Sequence, residues 1–401
     1  MAWRAIVEPK NTRLAFYEIL NASQKGRISN PDEIPAWFED LNALDTNHLK
    51  RCELIEYHHL NYRFIDRIER LNIKSRPNRI TLQTVAKSYL GYTPTLEALS
   101  EMGEAEFTAV MAEITLFEAG LKASGYTGTL KELVTQPEQF SANPVDIAVV
   151  YEDYIAKGEQ DLAARFYDYD IPKGSANVVL GAQRWGSFAS YDRKNSAMKA
   201  YFTGAKYDLN IAAFISVHEI FPGHHLAASA STRKRLCLGD GPYVGSWLLE
   251  GWATYAEFIA EEEGFFDKPA DKLSWLDYRL TRAIRIILDV KRMQGVTEYK
   301  ALKTIWNERM PERLGERFDR EYKRLTGSRH QHLSYILGYR AIMDVKTKLM
   351  QELGSEFDEK VFHDAILRLT HKEPLVFYET VKIAMELSKD DHDFRDSLDL
   401  K

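Results

Sequence analysis

Apolar residues recur at three- and four-residue intervals along most of the chain, which is the spacing of amphipathic helices. Between residues 33 and 71 this repeat predicts one or two long helices. Similar stretches follow near residues 82–91, 95–124 and 144–167, and another runs from about 208 to 388. The pattern therefore predicts a mainly α-helical protein.

One part of the chain departs from this helical spacing. Between Ser175 and Gly204, short runs rich in β-branched and aromatic residues alternate with glycine and polar residues. Such runs predict a small sheet of two to three strands. The sheet is expected directly before residues 210–231, whose histidines and glutamate are described below.

Composition narrows the class of protein. The 401 residues are 45% hydrophobic and 28% charged, which is typical of a globular chain. The net charge is −6 and both signs are interspersed, so no electrostatic case for nucleic-acid binding exists. No apolar run approaches the roughly 20 residues that span a bilayer. We expect neither nucleic acid nor a membrane as a partner.

Two cysteines, Cys52 and Cys237, are too few for a disulfide framework in a chain of this length. We therefore expect two reduced thiols. The N-terminal residues have no apolar core of a secretory signal. Together these features predict a cytoplasmic protein.

Residues 210–231 carry the strongest chemical signal. An apolar helical run leads into His218 and Glu219, and two further imidazoles follow at His224 and His225. A charged glutamate within an apolar run is costly unless it is paired or bound. In the common zinc-hydrolase motif, two histidines one helical turn apart bind the metal and the glutamate acts as general base.

The spacing here differs from that motif, because Pro222 stands where the second histidine is expected. Proline and the following Gly223 break helical hydrogen bonding. If a bulge absorbs the two extra residues, His224 returns to face His218, and we prefer it as the metal ligand. His225 is the rival, but in a straight helix it would lie about 10 Å further along the axis.

The third metal ligand is expected from a second helical run, where Glu250 interrupts apolar residues. Glu257 lies two turns further on, on the same face. Two histidines and a glutamate with one open position form a catalytic zinc pattern. The alternative is structural: a histidine cap at a helix end, with Glu250 in a core ion pair.

These two motifs resemble the bacterial domain-of-unknown-function 885 family. The shared pattern is His-Glu-x-x-Pro-Gly-His-His, here residues 218–225, followed by Glu-Gly-Trp-Ala-x-Tyr-Ala-Glu, here residues 250–257. A third segment supplies Arg324, Gln331 and Tyr335. The family is grouped with gluzincin-type zinc peptidases, distantly like thimet oligopeptidase and Taq carboxypeptidase.

The resemblance implies a fold. It predicts one metallopeptidase-like domain over residues 1–401, with a helical lobe at 1–174 and a metal-site lobe at 175–401. The two lobes would flank a cleft, with the small sheet beside the metal-binding helix. This chain departs from the family where an Arg-Tyr pair reads Arg324-Leu325 and where a histidine is replaced by Met293.

The same resemblance suggests roles. Glu219 would be the general base, Tyr335 the first candidate to stabilise an oxyanion, and His225 the second. Gln331 would bind the substrate.

A substrate carboxylate could be held by an arginine. The candidates are Arg282, Arg285, Arg324 and Arg340, while the ordinary interpretation of the first two is a solvated or ion-paired helix face. His330 and His332 are expected at a solvated helix start.

We therefore expect a zinc-dependent hydrolase that cleaves a peptide or amide bond in a short peptide or a modified amino acid. A second hypothesis is non-hydrolytic chemistry, as in a lyase or an enzyme using Fe²⁺ or another divalent transition metal, because the same ligands suit iron. A third is an inactive binding protein of the same fold. The expected partner is a small peptide-like or amino-acid-derived substrate, and a homodimer stays open.

Overall fold

The structure is a computed structural model that describes residues 9–24, 30–72, 81–168, 170–181, 187–233, 237, 246–310, 317–327, 330–369 and 374–399. The helices are α1 (Pro9–Gln24), α2 (Ile34–Asn42), α3 (Arg51–Asn72), α4 (Leu82–Leu90), α5 (Leu96–Ala123), α6 (Leu130–Val134), α7 (Pro144–Asp161), α8 (Ala212–Glu219), α9 (His224–Arg233), α10 (Ser246–Glu262), α11 (Pro269–Met293), α12 (Tyr299–Arg309), α13 (Phe318–Gly327), α14 (Leu333–Leu353), α15 (Glu359–Arg368) and α16 (Phe377–Asp399). The strands are β1 (Phe140–Ser141), β2 (Ser175–Leu180), β3 (Ala189–Asp192), β4 (Ala197–Phe202) and β5 (Tyr207–Asp208). The prediction of a mainly helical protein with a small sheet is confirmed.

Local sequence explains where several helices begin. The side chains of Thr95 and Asn143 accept backbone N–H groups at the first turns of α5 and α7, and proline occupies the first position of α7. These contacts satisfy donors that a helix start leaves unpaired. Among the helices that the structure describes, none is both long enough and apolar enough to cross a bilayer.

The described residues form two compact units. The first comprises the described parts of Met1–Arg79, Ser231–Gly245 and Val345–Lys401, and the second those of Ile80–Ala230 and Ser246–Asp344. Residues on both sides of the predicted lobe boundary at 174 and 175 belong to the second unit.

The first unit has its own apolar core, built from α1, α2 and α3 around Phe16, Leu41 and Phe64. It also holds a disulfide between Cys52 on α3 and Cys237. The expectation of two reduced thiols is therefore wrong. The two cysteines are 185 residues apart in the chain, and only folding brings their Cα atoms to 5.5 Å.

Replacing both Cys52 and Cys237 by serine should lower the free energy of unfolding by about 2–5 kcal/mol, because the crosslink restricts the unfolded chain. Chemical denaturation of wild type and double variant measures this. In parallel, alkylation of the unfolded wild type without reductant, read by mass spectrometry, should modify neither cysteine. Two alkylated thiols would contradict the pairing.

The second unit is organised around α11, whose residues from Leu273 to Val290 are all buried. It packs along α5 and also contacts α8. Beside α8 lies a three-stranded sheet in the order β2-β4-β3, with β2 parallel and β3 antiparallel to β4. β3 is therefore an edge strand, and it contacts α8. A separate two-stranded ribbon joins β1 and β5.

Candidate metal centre

The chain breaks where proline and glycine predict it. α8 ends at Glu219 and α9 begins at His224, and the Phe221–Pro222 peptide is cis. The break separates two helices, so the prediction of a bulge within a single helix is corrected. The predicted consequence holds: the His218 and His224 rings meet edge to face, with centres 4.9 Å apart.

Two contacts fix the path of this break. A Cβ atom on Gly223 would lie 1.9 Å from the backbone oxygen of His218, so only glycine fits there. The indole nitrogen of Trp252 on α10 donates to the backbone oxygen of Pro222 over 2.8 Å. The break is therefore fastened to the helix that carries Glu250.

Three predicted ligands converge. One ligand atom each from His218, His224 and Glu250 lies within 4.8 Å of the others. Oε2 of Glu250 is 3.3 Å from Nε2 of His218 and 3.7 Å from Nε2 of His224. Among the described residues, no hydrogen bond satisfies this buried oxygen. Two imidazoles and a carboxylate are the donor set of a catalytic zinc site, so these residues fit a divalent metal.

Close backbone packing sets the position of Glu250. A Cβ atom on the neighbouring Gly251 would lie 2.4 Å from the backbone of Gly338 on α14. Because neither glycine carries a side chain, α10 and α14 approach closely at this point. The approach places Glu250 beside the residues at the start of α14.

Glu257 orients the first ligand. Its Oε1 is 2.7 Å from Nδ1 of His218, which turns Nε2 toward Glu250. Carboxylates commonly hold metal-binding histidines in this way. Arg282 in turn donates two hydrogen bonds of 2.7 Å to the Glu257 carboxylate. The prediction that Arg282 binds substrate is therefore wrong, because this buried guanidinium is already engaged by Glu257.

The electrostatics of the cluster favour a cation. Burial alone would lower the pKa of His218, but the nearby Glu250 carboxylate and the hydrogen bond with Glu257 raise it to about 9. Burial alone would raise the pKa of Glu257, yet Arg282 and His218 lower it to about 2. The carboxylates of Glu219, Glu250 and Glu257 are thus gathered around the His218 imidazole, and Arg282 pairs with Glu257.

Glu219 lies where a general base is needed. It ends α8 one residue after His218, and the backbone N–H of Tyr191 on the edge strand β3 is among the groups that act to lower its pKa. Burial raises the pKa of Glu219, although the nearby imidazoles of His224 and His218 oppose the rise. A carboxylate with a raised pKa is suited to accepting and returning a proton.

His225 has a different role from the one predicted. Its Nε2 donates to the backbone oxygen of Pro172 over 2.7 Å, and its Nδ1 is 2.8 Å from the Tyr191 hydroxyl. Because both ring nitrogens are bonded, this fully buried imidazole has no donor for an oxyanion. Its prediction as an oxyanion donor is corrected, and it ties α9 to the strand beside Glu219.

Tyr335 lies next to the cluster, as predicted. Its ring stacks on that of His218 with centres 5.9 Å apart and an interplanar angle of 22°. Nη2 of Arg324 donates to the Tyr335 hydroxyl over 2.6 Å. The phenol therefore accepts from Arg324 and keeps its own proton for another acceptor. Burial raises the pKa of Tyr335, so the proton stays in place at neutral pH.

Gln331 contacts the ligand set itself. Its amide nitrogen donates to Oε1 of Glu250 over 3.0 Å, which leaves Oε2 directed at the imidazoles. The prediction of Gln331 as a substrate-binding residue is corrected to a residue that positions Glu250.

The residues on either side of Gln331 anchor it. His330, at φ 68°, and His332 both reach Oδ2 of the buried Asp289 on α11. The expectation of a solvated helix start is wrong, since both imidazoles are buried. Burial alone would raise the pKa of Asp289, but the two imidazoles lower it. This buried, charge-assisted contact fixes the segment that presents Gln331 to Glu250.

Replacing Gln331 by leucine should weaken zinc binding about 10- to 100-fold, because outer contacts of this kind orient a ligand. Competition with a chromophoric chelator measures the affinity. Thr326→Ala on the exposed end of α13 is the matched control and should bind zinc as wild type does. Unchanged affinity in the leucine variant would show that Gln331 does not support Glu250.

Two other arginines, Arg285 and Arg340, are also predicted to bind substrate. Nε of Arg285 donates to the buried carboxylate of Glu321 over 2.6 Å, so its guanidinium is also paired. Arg340 is half-buried on α14, five residues beyond Tyr335 and thus about 140° around the helix from it. The prediction that Arg285 binds substrate is corrected, and Arg340 lies on another side of α14 from Tyr335.

Sequence reasoning did not assign two neighbours of Glu250 and His218. Glu257 had a usable signal, because its seven-residue spacing from Glu250 places both on one helix face. Tyr89 on α4 had none. Burial and the nearby Glu250 carboxylate raise its pKa to about 12. It lies far from the motifs in sequence and joins them only in the fold.

Fold and site together define a helical protein with a partly buried His/His/Glu cluster that fits a divalent metal. The chain belongs to a family described as bacterial protein of unknown function (DUF885), whose profile matches residues 74–369. Comparison with curated proteins finds no match.

Two solved structures have a similar fold. A putative lipoprotein from Colwellia psychrerythraea aligns with a TM-score of 0.62 at 18% identity, covering 95% of this chain and 71% of that one. A putative lipoprotein of unknown function from Shewanella oneidensis aligns with a TM-score of 0.57 at 19% identity, covering 94% and 73%. At these identities the likeness concerns the fold alone.

Proposed function

We propose that this protein is a zinc-dependent hydrolase of a peptide or amide bond in a short peptide or modified amino acid. One observation carries the proposal: His218, His224 and Glu250 converge, with a buried carboxylate oxygen directed at both imidazoles. The buried Glu219 adjoins the first of these ligands. The gluzincin-like cleft implied by the sequence motifs belongs to this proposal.

Zinc, when bound, supplies Lewis acidity, which polarises a carbonyl group and acidifies a water molecule. His218, His224 and Glu250 would hold it. The Glu219 carboxylate accepts a proton from the attacking water and then delivers it to the leaving amine.

Tyr335 is suited to stabilise the developing negative charge on the carbonyl oxygen. Its hydroxyl already accepts from Arg324, so it can donate its own proton without leaving that contact. Arg324 also stabilises negative charge that develops on the phenol oxygen. Preorganised donors of this kind are effective because they need little rearrangement during the reaction.

Metal analysis tests the proposal. Purified protein should contain about one equivalent of zinc by mass spectrometry, and it should hydrolyse some member of a panel of short peptides and acylated amino acids. Chelation should remove both properties, and added zinc should restore them. His218→Ala and Glu250→Ala should lose the zinc. If iron is the only metal that restores activity, the assignment of zinc is wrong.

The Cys52–Cys237 disulfide bears on where the protein works. Disulfides persist in oxidising compartments and are rare in the cytoplasm. The expectation of a cytoplasmic protein depended on two reduced thiols together with the lack of an apolar secretory-signal core. We therefore place the proposed activity in an oxidising compartment, and fractionation of the native source tests this.

A further inference from the structure

The arginines near the cluster differ in whether a carboxylate lies within ion-pair distance of the guanidinium. Arg279 pairs with Glu106 and Glu113, Arg282 with Glu257, and Arg285 with Glu321. Each of these guanidinium groups has a counter-charge supplied by the fold. Their positive charges are therefore not available to a ligand.

Arg324 on α13 is different. Among the described residues, no carboxylate lies within ion-pair distance of its guanidinium, and its hydrogen bonds use one donor, to the Tyr335 hydroxyl. Its Nε is buried and has no hydrogen-bond partner within the described part of the chain. A guanidinium has five N–H donors, so most of them remain for a ligand.

The position of Arg324 connects it to the proposed reaction site. The centre of its guanidinium is 5.5 Å from the centre of the Tyr335 ring, and that ring stacks on His218. An extended chain advances about 3.5 Å per residue. A group one or two residues from the reacting carbonyl can therefore reach Arg324.

Resting on the proposed hydrolase function, we propose that Arg324 binds a carboxylate of the substrate. The substrate class is then a short peptide or an acylated amino acid whose free carboxylate lies one to two residues from the cleaved bond. The guanidinium of arginine can donate two N–H groups to the two oxygens of a carboxylate. A neutral carboxamide in the ligand cannot form the same charged, two-bond contact. The alternative is that Arg324 only positions Tyr335.

A pair of binding probes separates these roles. Succinic acid monohydroxamate carries a zinc-chelating group and a carboxylate, and the corresponding carboxamide differs only in lacking the charge. Binding of each to the zinc-loaded full chain is measured by titration calorimetry. Wild type should bind the acid about 10- to 100-fold more tightly than the amide, as expected for a charge-assisted hydrogen bond.

Variants then assign the preference to Arg324. Arg324→Gln should bind both probes equally and should retain its affinity for the amide within about threefold. Arg324→Lys should keep part of the preference, and it tests the proposal even if the glutamine variant fails to fold. Arg340→Gln is the matched control and should behave as wild type. Tyr335→Phe should also keep the preference, because the carboxylate contact is made by the guanidinium.

The outcomes distinguish the two proposals. If the amide probe binds but wild type shows no preference for the acid, the carboxylate site is overturned and the hydrolase proposal stands. If Arg324→Gln weakens both probes equally, Arg324 is a positioning residue only. If neither probe binds to the zinc-treated wild type, the metal centre itself fails, and the assignment of Arg324 fails with it.

Discussion

Replacing Glu219 by glutamine should reduce hydrolysis about 10²- to 10⁴-fold while zinc binding persists. General acid–base groups contribute rate factors of this size, and glutamine has the same shape but cannot accept the proton. The three proposed ligands are unchanged in this variant. Turnover of the best panel substrate and zinc content per chain are the two measurements.

The matched control for this variant is Glu138→Gln, which changes an exposed glutamate in the same unit. It should leave both turnover and zinc content unchanged. Full turnover in Glu219→Gln would remove the general base from the mechanism. Loss of zinc together with activity would instead make Glu219 part of the metal-binding set.

The second large effect concerns the buried pair of Glu257 and Arg282. Glu257→Gln should lower the free energy of unfolding by about 3–5 kcal/mol, because it leaves the Arg282 cation buried without its counter-charge. Both side chains are almost completely buried in the fold. Denaturant unfolding of wild type and variant measures the change.

A double variant separates the stability of this pair from its effect on His218. Glu257→Leu combined with Arg282→Leu should recover most of the stability, since it removes both charges. It should still bind zinc about 10- to 100-fold more weakly, because His218 has lost its orienting carboxylate. Wild-type zinc affinity in the double variant would show that Glu257 does not position the ligand.

The helical pattern predicted most elements because it reflects which face of each helix meets the core. The spacing between residues 95 and 124 corresponds to α5, and the β-branched runs after Ser175 correspond to β2, β3 and β4. Both patterns are local, and a window of a few turns contains them. The division into two units is not local, since the first unit draws on three separated parts of the chain.

The sequence by itself indicated the side chains of the candidate metal centre, with His224 preferred over His225. Proline and glycine act on their own backbone, so the break between His218 and His224 follows from residues 222 and 223 alone. The isolated charge of Glu250 in an apolar helix marked the third group. These signals need no knowledge of distant residues.

Only the tertiary structure decided the partners of the remaining charged and sulfur-bearing side chains. Arg282, Arg285 and Arg324 look alike in sequence, yet two face buried glutamates and one faces a phenol. The partner of Cys52 is likewise distant in the chain, because folding brings Cys237 to it. Each depends on which distant helix packs alongside, and the energy of a buried charge depends on that neighbour rather than on residues adjacent in the chain.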